Sequence, residues 1–511
     1  MADTGATDGG NRIAITLCVS LATLMQALDT TIANVALPYM QGSVSASQDQ
    51  IDWVLTSYIV AAAIMTPPTG FLAARFGLKR LFLVSIAGFT VASMLCGAAQ
   101  SLTQIVVFRL LQGAFGAALV PLSQSVLFSI YPREQQGFAM ALFGLGVMVG
   151  PVIGPVLGGW LTENYSWRYV FYINLPLGIA GILGLIAFLP DTARNMRERL
   201  DWFGFATLSV AIGALQIALD RGELKDWFGS GEIVLEAVVA ASAFYLFMVH
   251  TFTARESFVR PSLFRDRNFV AGVLFIAIVG MTYYASLALQ PLFLQDLMNY
   301  PVVTSGLVMA PRGVGTMAAM LAVGKLVGRV DTRLLLGIGL AASAYSFYLM
   351  TGWTTDVSEA TIIWVGVIQG VGLGFLFVPL SATALATLPP QHRTEGAGLY
   401  NLSRTVGSSV GISIVNALLT NQTQVNHATI AKNVTAVNPA LQDPAIAQYW
   451  SPFTAAGRAA LEAVINQQAV LIAYLNNYKL LMIATLAVLP LLIVFRRPSA
   501  GEGRGGTVVV D

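Results

Sequence analysis

The sequence predicts an all-α integral membrane protein made of two six-helix bundles, with two additional helices inserted between them. Composition gives the first reason, because 56% of the 511 residues are hydrophobic and only 11% are charged, whereas a soluble domain carries about 25% charged residues. The second reason is a succession of fourteen apolar segments. The third is an internal repeat that returns in the same orientation after eight segments.

The fourteen segments are bounded by glycine, proline, asparagine or charged residues, which interrupt apolar helices. The predicted spans lie near residues 13–39, 51–73, 81–99, 104–130, 137–161, 168–189, 203–219, 232–252, 269–295, 303–328, 333–353, 360–387, 395–420 and 474–495. The predicted domains are an N-terminus at 1–12, a first bundle at 13–190, a linker with the two additional spans at 191–268, a second bundle at 269–495 with an outer loop at 421–473, and a tail at 496–511.

The basic residues predict that both termini are cytoplasmic. In that orientation, nineteen of the 28 Lys and Arg residues lie at cytoplasmic connections and span ends, and six lie on the outer side. This asymmetry follows the positive-inside rule. The remaining three, Arg109, Arg312 and Arg404, fall within spans. Buried cations need partners, and the sequence does not identify one for Arg312 or Arg404.

Two pairs of sequence segments define the repeat. The end of span 2, Gly70-Phe-Leu-Ala-Ala-Arg75, returns at the end of span 10 as Gly324-Lys-Leu-Val-Gly-Arg329. Gln112-Gly113 in span 4 returns as Gln369-Gly370 in span 12, and Val-Pro-Leu-Ser follows in both places. Because an even offset preserves orientation, spans 1–6 and 9–14 are predicted to form similar bundles. Such bundles place a substrate cavity at their shared interface near the bilayer midplane.

An acidic residue, Asp29, lies near the middle of the first apolar span. A carboxylate at that depth is costly unless it faces the bundle interior or a wet cavity, where it can bind a cation or take up a proton. Asp29 is therefore the candidate residue for proton coupling. The alternative is a structural carboxylate that is hydrogen-bonded to neighbours such as Gln26 or Thr30.

Two motifs carry a resemblance that covers nearly the whole chain. Leu28-Asp29-Thr-Thr-Ile-Ala-Asn34-Val-Ala-Leu-Pro38 in span 1 and Trp167-Arg168-Tyr-Val-Phe-Tyr-Ile-Asn174-Leu-Pro176-Leu-Gly178 entering span 6 together resemble the fourteen-span drug/proton antiporters of the major facilitator superfamily. Within that branch the chain is most similar to the EmrB-type multidrug exporters. The resemblance implies the major facilitator fold and a location in the inner membrane.

The function that this resemblance implies is the export of small hydrophobic or amphipathic compounds in exchange for protons, by alternating access of the two bundles. The proton gradient supplies the energy, and no other cofactor is expected. Partners are therefore the exported compounds, protons and the surrounding membrane lipid. A proton-coupled uptake symporter on the same fold and a transport-inactive membrane sensor are the alternatives.

Arg109 and Gln112 lie three residues apart on span 4 and so share a helix face. The resemblance implies that Arg109 takes part in proton transfer or holds the charge state of a carboxylate. The alternative is an arginine that snorkels towards the outer end of the span.

The connection between spans 2 and 3 resembles the cytoplasmic gating loop of the superfamily through Gly70, Arg75, Gly77 and Arg80. Its glycines permit a tight turn, and its cations can engage a helix C-terminus or a carboxylate. Many members of the family carry an acid where this chain has Ala74. A gate salt bridge built on that acid is therefore not expected, and a plain positive-inside anchor is the alternative.

Gly146, Gly150, Gly154 and Gly158 recur every four residues in span 5. Helix geometry places them on one stripe, where they allow close approach of a neighbouring helix. The stripe resembles the antiporter motif, which in the family is thought to seal the bundle interface and suppress leak. Ordinary helix packing is the alternative.

Polar residues within spans are candidates for the substrate cavity, although such a residue taken alone is more often a contact between helices than a ligand contact. The candidates are Gln26, Asn34, Gln112, Gln124, Tyr284, Gln290 and Asn401.

Other classes of function find little support. The three histidines, His250, His392 and His427, are scattered, and no metal-spaced or nucleophile–base cluster occurs in the spans, so neither a metal site nor an enzyme is expected. The sequence has no phosphate-binding Gly-rich loop. Its Lys and Arg residues form no basic face that would indicate nucleic-acid binding.

The outer connection at 421–473 contains turn signals at Asn438-Pro439 and Asp443-Pro444, and a helix is predicted from about Pro452. The resemblance implies that this region docks a periplasmic adaptor, which would lead to an outer-membrane channel. A passive loop is the alternative. The Gly-rich tail from Pro498 is predicted to be disordered.

Overall fold

The computed structural model describes residues 9–192, 200–254, 257–435, 438–442, 446 and 449–495. In these residues, thirteen helices are long and apolar enough to cross a membrane, and a bent helix pair makes a fourteenth. The predicted all-α membrane fold is confirmed. The predicted tail at 496–511, residues 1–8 of the predicted N-terminus and the turn signal at Asp443-Pro444 lie outside the described residues.

The helices follow the predicted order of spans. Span 1 is Gly9–Val44, span 2 is Trp53–Met65 with Thr69–Phe76, span 3 is Leu78–Ala98, span 4 is Leu102–Gly116 with Leu119–Ile130, span 5 is Gln136–Asn164, and span 6 is Tyr169–Tyr172 with Asn174–Phe188. Spans 7 and 8 are Trp202–Arg221 and Gly231–Thr253. Span 9 is Arg267–Leu292 with a last turn at Phe293–Leu297, span 10 is Val302–Leu326, span 11 is Thr332–Met350, span 12 is Glu359–Ala386, span 13 is Arg393–Ala431, and span 14 is Ala455–Leu486.

Span 2 is bent by 58° between its two helices. The bend falls at Thr66-Pro67-Pro68, whereas the sequence predicted one continuous segment there. A proline has no N–H to donate and its ring disfavours helical geometry in the residue before it. Two prolines in succession therefore break the helix although its hydropathy is unbroken.

Spans 13 and 14 extend well beyond the thickness of a bilayer. Span 13 has 39 residues and span 14 has 32, which at 1.5 Å per residue correspond to about 58 and about 48 Å, against about 30 Å of hydrocarbon core. Their outer parts are paired, and His427 Nε2 lies 2.8 Å from Glu462 Oε1. Span 13 ends at Ala431, beyond the predicted end near residue 420, because polar residues mark the bilayer edge without ending the helix.

The hydrophobic core differs between the two halves of the molecule. In the half that contains the predicted cytoplasmic ends, here called the cytoplasmic half, one core cluster runs through both bundles, and the Phe143 and Phe377 rings stack with centroids 6.2 Å apart. In the outer half the core is divided into one cluster around Phe171 in the first bundle and another around Phe293 in the second. The bundles are thus packed together in the cytoplasmic half and have separate cores in the outer half.

Span 7 packs against both bundles. Its Asp220 accepts a hydrogen bond from Thr56 of span 2. Its Gln216 donates to Ser409 of span 13 over 2.6 Å. Ser413, also on span 13, donates to the Leu219 carbonyl of span 7 over 2.6 Å. The first of the two additional spans therefore lies beside the groove where the bundles meet.

Candidate functional site

Asp29 is fully buried and is held by donors from two other spans of the first bundle. Arg109 Nη1 lies 2.6 Å from Asp29 Oδ2, and Gln112 Nε2 donates to Asp29 Oδ1 over 2.7 Å. Asn174 Nδ2 of span 6 donates to the same oxygen over 3.2 Å. Spans 1, 4 and 6 therefore meet at one carboxylate inside the bundle.

The Arg109 guanidinium is 1% exposed and points into the bundle, so a snorkelling side chain does not describe it. Its Nε donates to the Val54 carbonyl of span 2 over 3.1 Å. Its Cζ lies 4.2 Å from the centroid of the Tyr58 ring, a distance at which a cation is attracted to an aromatic face. Span 2 thus holds Arg109 on the side opposite the acid.

The neighbours of Asp29 on span 1 do not hold its carboxylate. Thr30 Oγ1 donates to the Ala27 carbonyl over 2.9 Å. Gln26 Oε1 is buried without a hydrogen-bond partner among the described residues. The contacts of Asp29 are therefore long-range, and they depend on how spans 1, 4 and 6 are packed.

A buried ion pair of this kind is electrostatically balanced only while both charges are present. Removing one partner leaves an uncompensated charge in the membrane interior, which typically costs about 3–5 kcal/mol. A proton that binds Asp29 has the same kind of effect, because it neutralises the acid and leaves Arg109 without a counter-charge. Both charges are therefore needed for the pair to stabilise the packing of spans 1 and 4.

Two residues of this site were not predicted from the sequence. Asn174 donates to Ser93 Oγ over 2.9 Å as well as to Asp29, and Tyr58 stacks on Arg109. Asn174 could have been found, because it is a buried amide in an apolar span and belongs to the motif entering span 6. Tyr58 gave no such signal, since an aromatic residue in an apolar span is ordinary.

The glycine stripe packs span 5 against span 1, the helix that carries Asp29. A Cβ at Gly150 would lie 2.5 Å from the Ala27 carbonyl carbon, and one at Gly154 would lie 2.2 Å from Thr31 Oγ1. At Gly146 and Gly158 the nearest atoms, also in span 1, would be 3.0 and 2.6 Å away. All four glycines therefore allow the two helices of the same bundle to touch.

The contact between the bundles uses other residues of span 5. Val152 packs against Gly313 of span 10, and Gly137 packs against Val327 just beyond the end of that span. The expectation that the glycine stripe itself lies at the bundle interface is corrected by this arrangement. The stripe faces span 1, and a different face of the same helix contacts span 10.

The loop between spans 2 and 3 has the expected tight turn, because Gly77 has a φ of 88°, which favours glycine. Gly70 lies so close to span 13 that a Cβ there would be 2.7 Å from the Cα of Glu395. The Arg75 guanidinium lies 5.9 Å from the Phe71 ring centroid, and Arg80 is exposed. The acid at this contact comes from the second bundle.

The predicted cavity residues do not form one surface. Asn401 Nδ2 donates to Gln124 Oε1 over 2.7 Å across the two bundles, and both side chains are buried in the closed cytoplasmic half. Tyr284 is half-buried against Tyr283. Asn34 is exposed and donates to the Thr30 carbonyl over 3.3 Å. The other three candidates lie elsewhere: Gln112 and Gln26 near Asp29, and Gln290 beside Arg312.

Comparison with known proteins places this architecture in a family. Residues 19–412 match the model of the Major Facilitator Superfamily, and the chain belongs to this superfamily of membrane transporters. Among solved structures, the human organic anion transporter MFSD10 has the same fold, with a TM-score of 0.57 and 14% sequence identity over 93% of this chain and 99% of that chain.

The sequence relatives are more specific. The chain is 36% identical to the multidrug export protein EmrB of Escherichia coli (strain K12), and the match covers 98% of both chains. It is 38% identical to the fatty acid resistance protein FarB of Neisseria gonorrhoeae over 84% of this chain and 85% of that protein. The resemblance inferred from the motifs in spans 1 and 6 is therefore confirmed.

Proposed function

We propose that this transporter exports hydrophobic or amphipathic compounds across the inner membrane in exchange for protons, with both of its termini in the cytoplasm. The observation that carries the proposal is the buried Asp29–Arg109 pair, an ionisable centre inside the membrane. The similarity to EmrB and FarB supports toxic amphipathic compounds as the substrate class. The proton gradient is the energy source in this account.

Proton binding to Asp29 weakens the attraction between spans 1 and 4. The neutral acid no longer attracts Arg109 as an ion, while Arg109 retains its contacts with Val54 and Tyr58 on span 2. A ligand shifts a conformational equilibrium only by its different affinities for the two states. A proton therefore favours whichever arrangement separates Asp29 from Arg109.

Span 5 connects the helix that carries Asp29 to the interface between the bundles. Span 1 is held to span 5 by the glycine stripe, and Thr31 Oγ1 also donates to the Gly150 carbonyl over 3.2 Å. Another face of span 5 packs on span 10, where Val152 meets Gly313. Movement of span 1 would thus act on the contact between the two bundles.

The division of the core supports alternating access. The bundles share one core in the cytoplasmic half and have separate cores in the outer half, as expected for a state closed towards the cytoplasm. The contacts that would open in the other state are partly polar, because Ser125 and Thr394 are 2.6 Å apart and Asn401 donates to Gln124. Such groups can exchange their mutual hydrogen bonds for water.

The extension of spans 13 and 14 supports the docking of a periplasmic adaptor, and through it an outer-membrane channel. The segment between these two helices exposes Tyr449, Trp450 and Phe453. Aromatic side chains are enriched at protein interfaces, and an outer protrusion lies where a periplasmic partner could reach it. Efflux in cells should fall when the three aromatics are replaced by serine, while transport by the purified protein should not.

The direction of transport separates export from uptake. In everted vesicles with an acidic lumen, an exporter that exchanges protons for substrate should accumulate an amphipathic fluorescent dye in the lumen. A symporter should instead remove dye that was loaded beforehand. No proton-dependent flux in either direction would favour a sensor, whose signalling should then survive the loss of Asp29.

A further inference from the structure

The second bundle contains a buried arginine that forms no ion pair with any of the residues that the structure describes. Arg312 of span 10 is 4% exposed, and its Nη1 donates to Gln290 Oε1 over 2.9 Å. Its Nε and Nη2 atoms are buried without a hydrogen-bond partner in the part of the chain that the structure describes. Its Cζ lies 4.5 Å from the Tyr283 ring centroid. Two nitrogens of a buried guanidinium therefore have no hydrogen-bond acceptor within bonding distance among the described residues, apart from the interaction with Tyr283.

The internal repeat relates this arginine to the proton-coupling site of the first bundle. Tyr58 precedes Gly70 by twelve residues, and Arg312 precedes Gly324 by twelve. The packing agrees, because a Cβ at Gly113 would lie 2.4 Å from the Tyr58 carbonyl oxygen and one at Gly370 would lie 2.0 Å from the Arg312 carbonyl oxygen. Arg312 thus occupies the place in its bundle that Tyr58 occupies in the first.

The buried arginine lies on a different helix of the repeat in each bundle. Arg109 lies three residues before Gln112, whereas glycine, Gly366, lies three residues before Gln369. A Cβ at Gly366 would lie 3.6 Å from Arg312 Cβ, so the missing side chain leaves room for the arginine of span 10.

The acid has not been retained. Gln112 donates to the Asp29 carboxylate, whereas Gln369 Nε2 donates to the Ser286 hydroxyl over 3.0 Å. The remaining neighbours of Arg312, Gln290 and Tyr283, are also uncharged at neutral pH. A buried cation in a membrane protein normally has a counter-charge. One negative charge would therefore balance this site.

A small cavity lies beside Gln369 and Tyr283 of this cluster. The cavity has a volume of about 20 Å³, which holds one water-sized group, and its lining includes Tyr283, Gln369 and Thr282 but not Arg312 itself. The Tyr283 ring packs on Arg312, and its hydroxyl lies 4.0 Å from Met148 Sδ of span 5. Tyr283 therefore separates the cluster from the interface between the bundles.

We propose that Arg312 binds a small monovalent anion, with Gln290, Gln369 and Ser286 supplying further polar contacts. The anion is either a free ion such as chloride or the carboxylate end of an amphipathic organic acid whose tail lies between the bundles. The second source rests on the proposed export function, whereas the first does not. Bound at the guanidinium, either group supplies the charge that Asp29 supplies in the first bundle.

Binding can be measured on the purified full-length protein without a proton gradient. Chloride and decanoate are titrated separately into protein kept in gluconate at constant ionic strength, and the thermal unfolding midpoint is followed. The wild type and Arg458→Gln, which removes an exposed arginine of span 14, should show saturable stabilisation. Arg312→Gln should bind at least tenfold more weakly.

A second variant keeps the test decisive if Arg312→Gln does not fold. Ser286→Asp adds a negative charge to the polar chain that runs from Ser286 through Gln369 and Gln290 to Arg312, so it should compensate the cation internally and abolish stabilisation by either anion. Competition between chloride and decanoate identifies one shared site, while stabilisation by only one of them identifies the source of the anion.

The result that would overturn the proposal is an absence of saturable stabilisation by both anions, or equal stabilisation in the wild type and both variants. Asp29→Asn should bind anions as the wild type does. A result against proton coupling by Asp29 would therefore not contradict the anion site, and a result against anion binding would not contradict proton coupling.

Discussion

At the scale of single residues, the Asp29–Arg109 pair is stable because each charge compensates the other in a site that excludes water. In such a site, removing one charge destabilises the folded protein more than removing both. The first prediction follows from this asymmetry.

Arg109→Gln should lower the free energy of unfolding by about 3–5 kcal/mol, because it leaves Asp29 buried without a cation. The double variant Asp29→Asn/Arg109→Gln should recover a large part of this loss, since both charges are then absent. Thermal unfolding of the purified protein in detergent measures both effects. Additive destabilisation in the double variant would show that the two side chains do not act as a pair.

The residues of this site illustrate what the sequence could and could not predict. Asp29, Arg109 and Gln112 were found because polar groups in apolar spans are costly, and because a spacing of three places Arg109 and Gln112 on one face. The spacing says nothing about helix rotation, however, so the contacts of Asn174 and Tyr58 with this site became visible only in the structure. For the same reason Gln124 and Asn401 were taken for cavity residues although they bond to each other.

At the scale of helices, span 5 packs against two neighbours through different faces, and the glycine stripe forms one of these faces. The four-residue spacing predicted a close helix contact, and span 1 is the partner. The identity of that partner could not be predicted, because a stripe of small residues fits any neighbouring helix. Hydropathy likewise located spans 2 and 13. It did not predict the proline bend in span 2 or the polar extension of span 13.

A matched pair of glycine substitutions tests the stripe. Gly150→Ala places a methyl group 2.5 Å from the backbone of span 1 and should cost about 1–3 kcal/mol through overpacking. Transport should fall, or proton leak should rise, because span 1 carries Asp29. Thermal unfolding and vesicle proton leak are the measurements.

The control for this pair is Gly159→Ala on the same helix. Its new methyl group would lie no closer than 3.9 Å to Val35, and alanine favours the helix by up to about 1 kcal/mol over glycine. We expect unchanged transport and equal or greater stability. Equal losses in both variants would contradict a specific role of the stripe.

At the scale of the whole molecule, alternating access requires two bundles that separate in turn at each of their two ends. The shared core and the hydrogen bonds in the cytoplasmic half describe one of these states. Span 7 contacts both bundles beside their groove, so alternating access would require it to bend or to release one of them. These contacts predict that fixing the cytoplasmic half stops transport.

The double variant Ser125→Cys/Thr394→Cys tests this prediction, because the two hydroxyl oxygens are 2.6 Å apart and the side chains are close enough to be bridged. Oxidation should abolish dye transport and reduction should restore it. The single-cysteine variants, which retain Cys18 and Cys96, should be insensitive to the same treatment. Normal transport by the cross-linked protein would show that this contact does not open.

The central claim is that Asp29 couples protons to export, and the most direct test is substrate transport by Asp29→Asn in vesicles with an imposed pH gradient. The substitution keeps the shape of the side chain but removes its exchangeable charge. Asp356→Asn, which changes an exposed acid between spans 11 and 12, is the control and should transport normally. We predict that Asp29→Asn is less stable, because Arg109 loses its counter-charge, but still inserts and folds, and that it loses uphill, gradient-driven export. Gradient-driven export by Asp29→Asn at the wild-type rate would contradict the account.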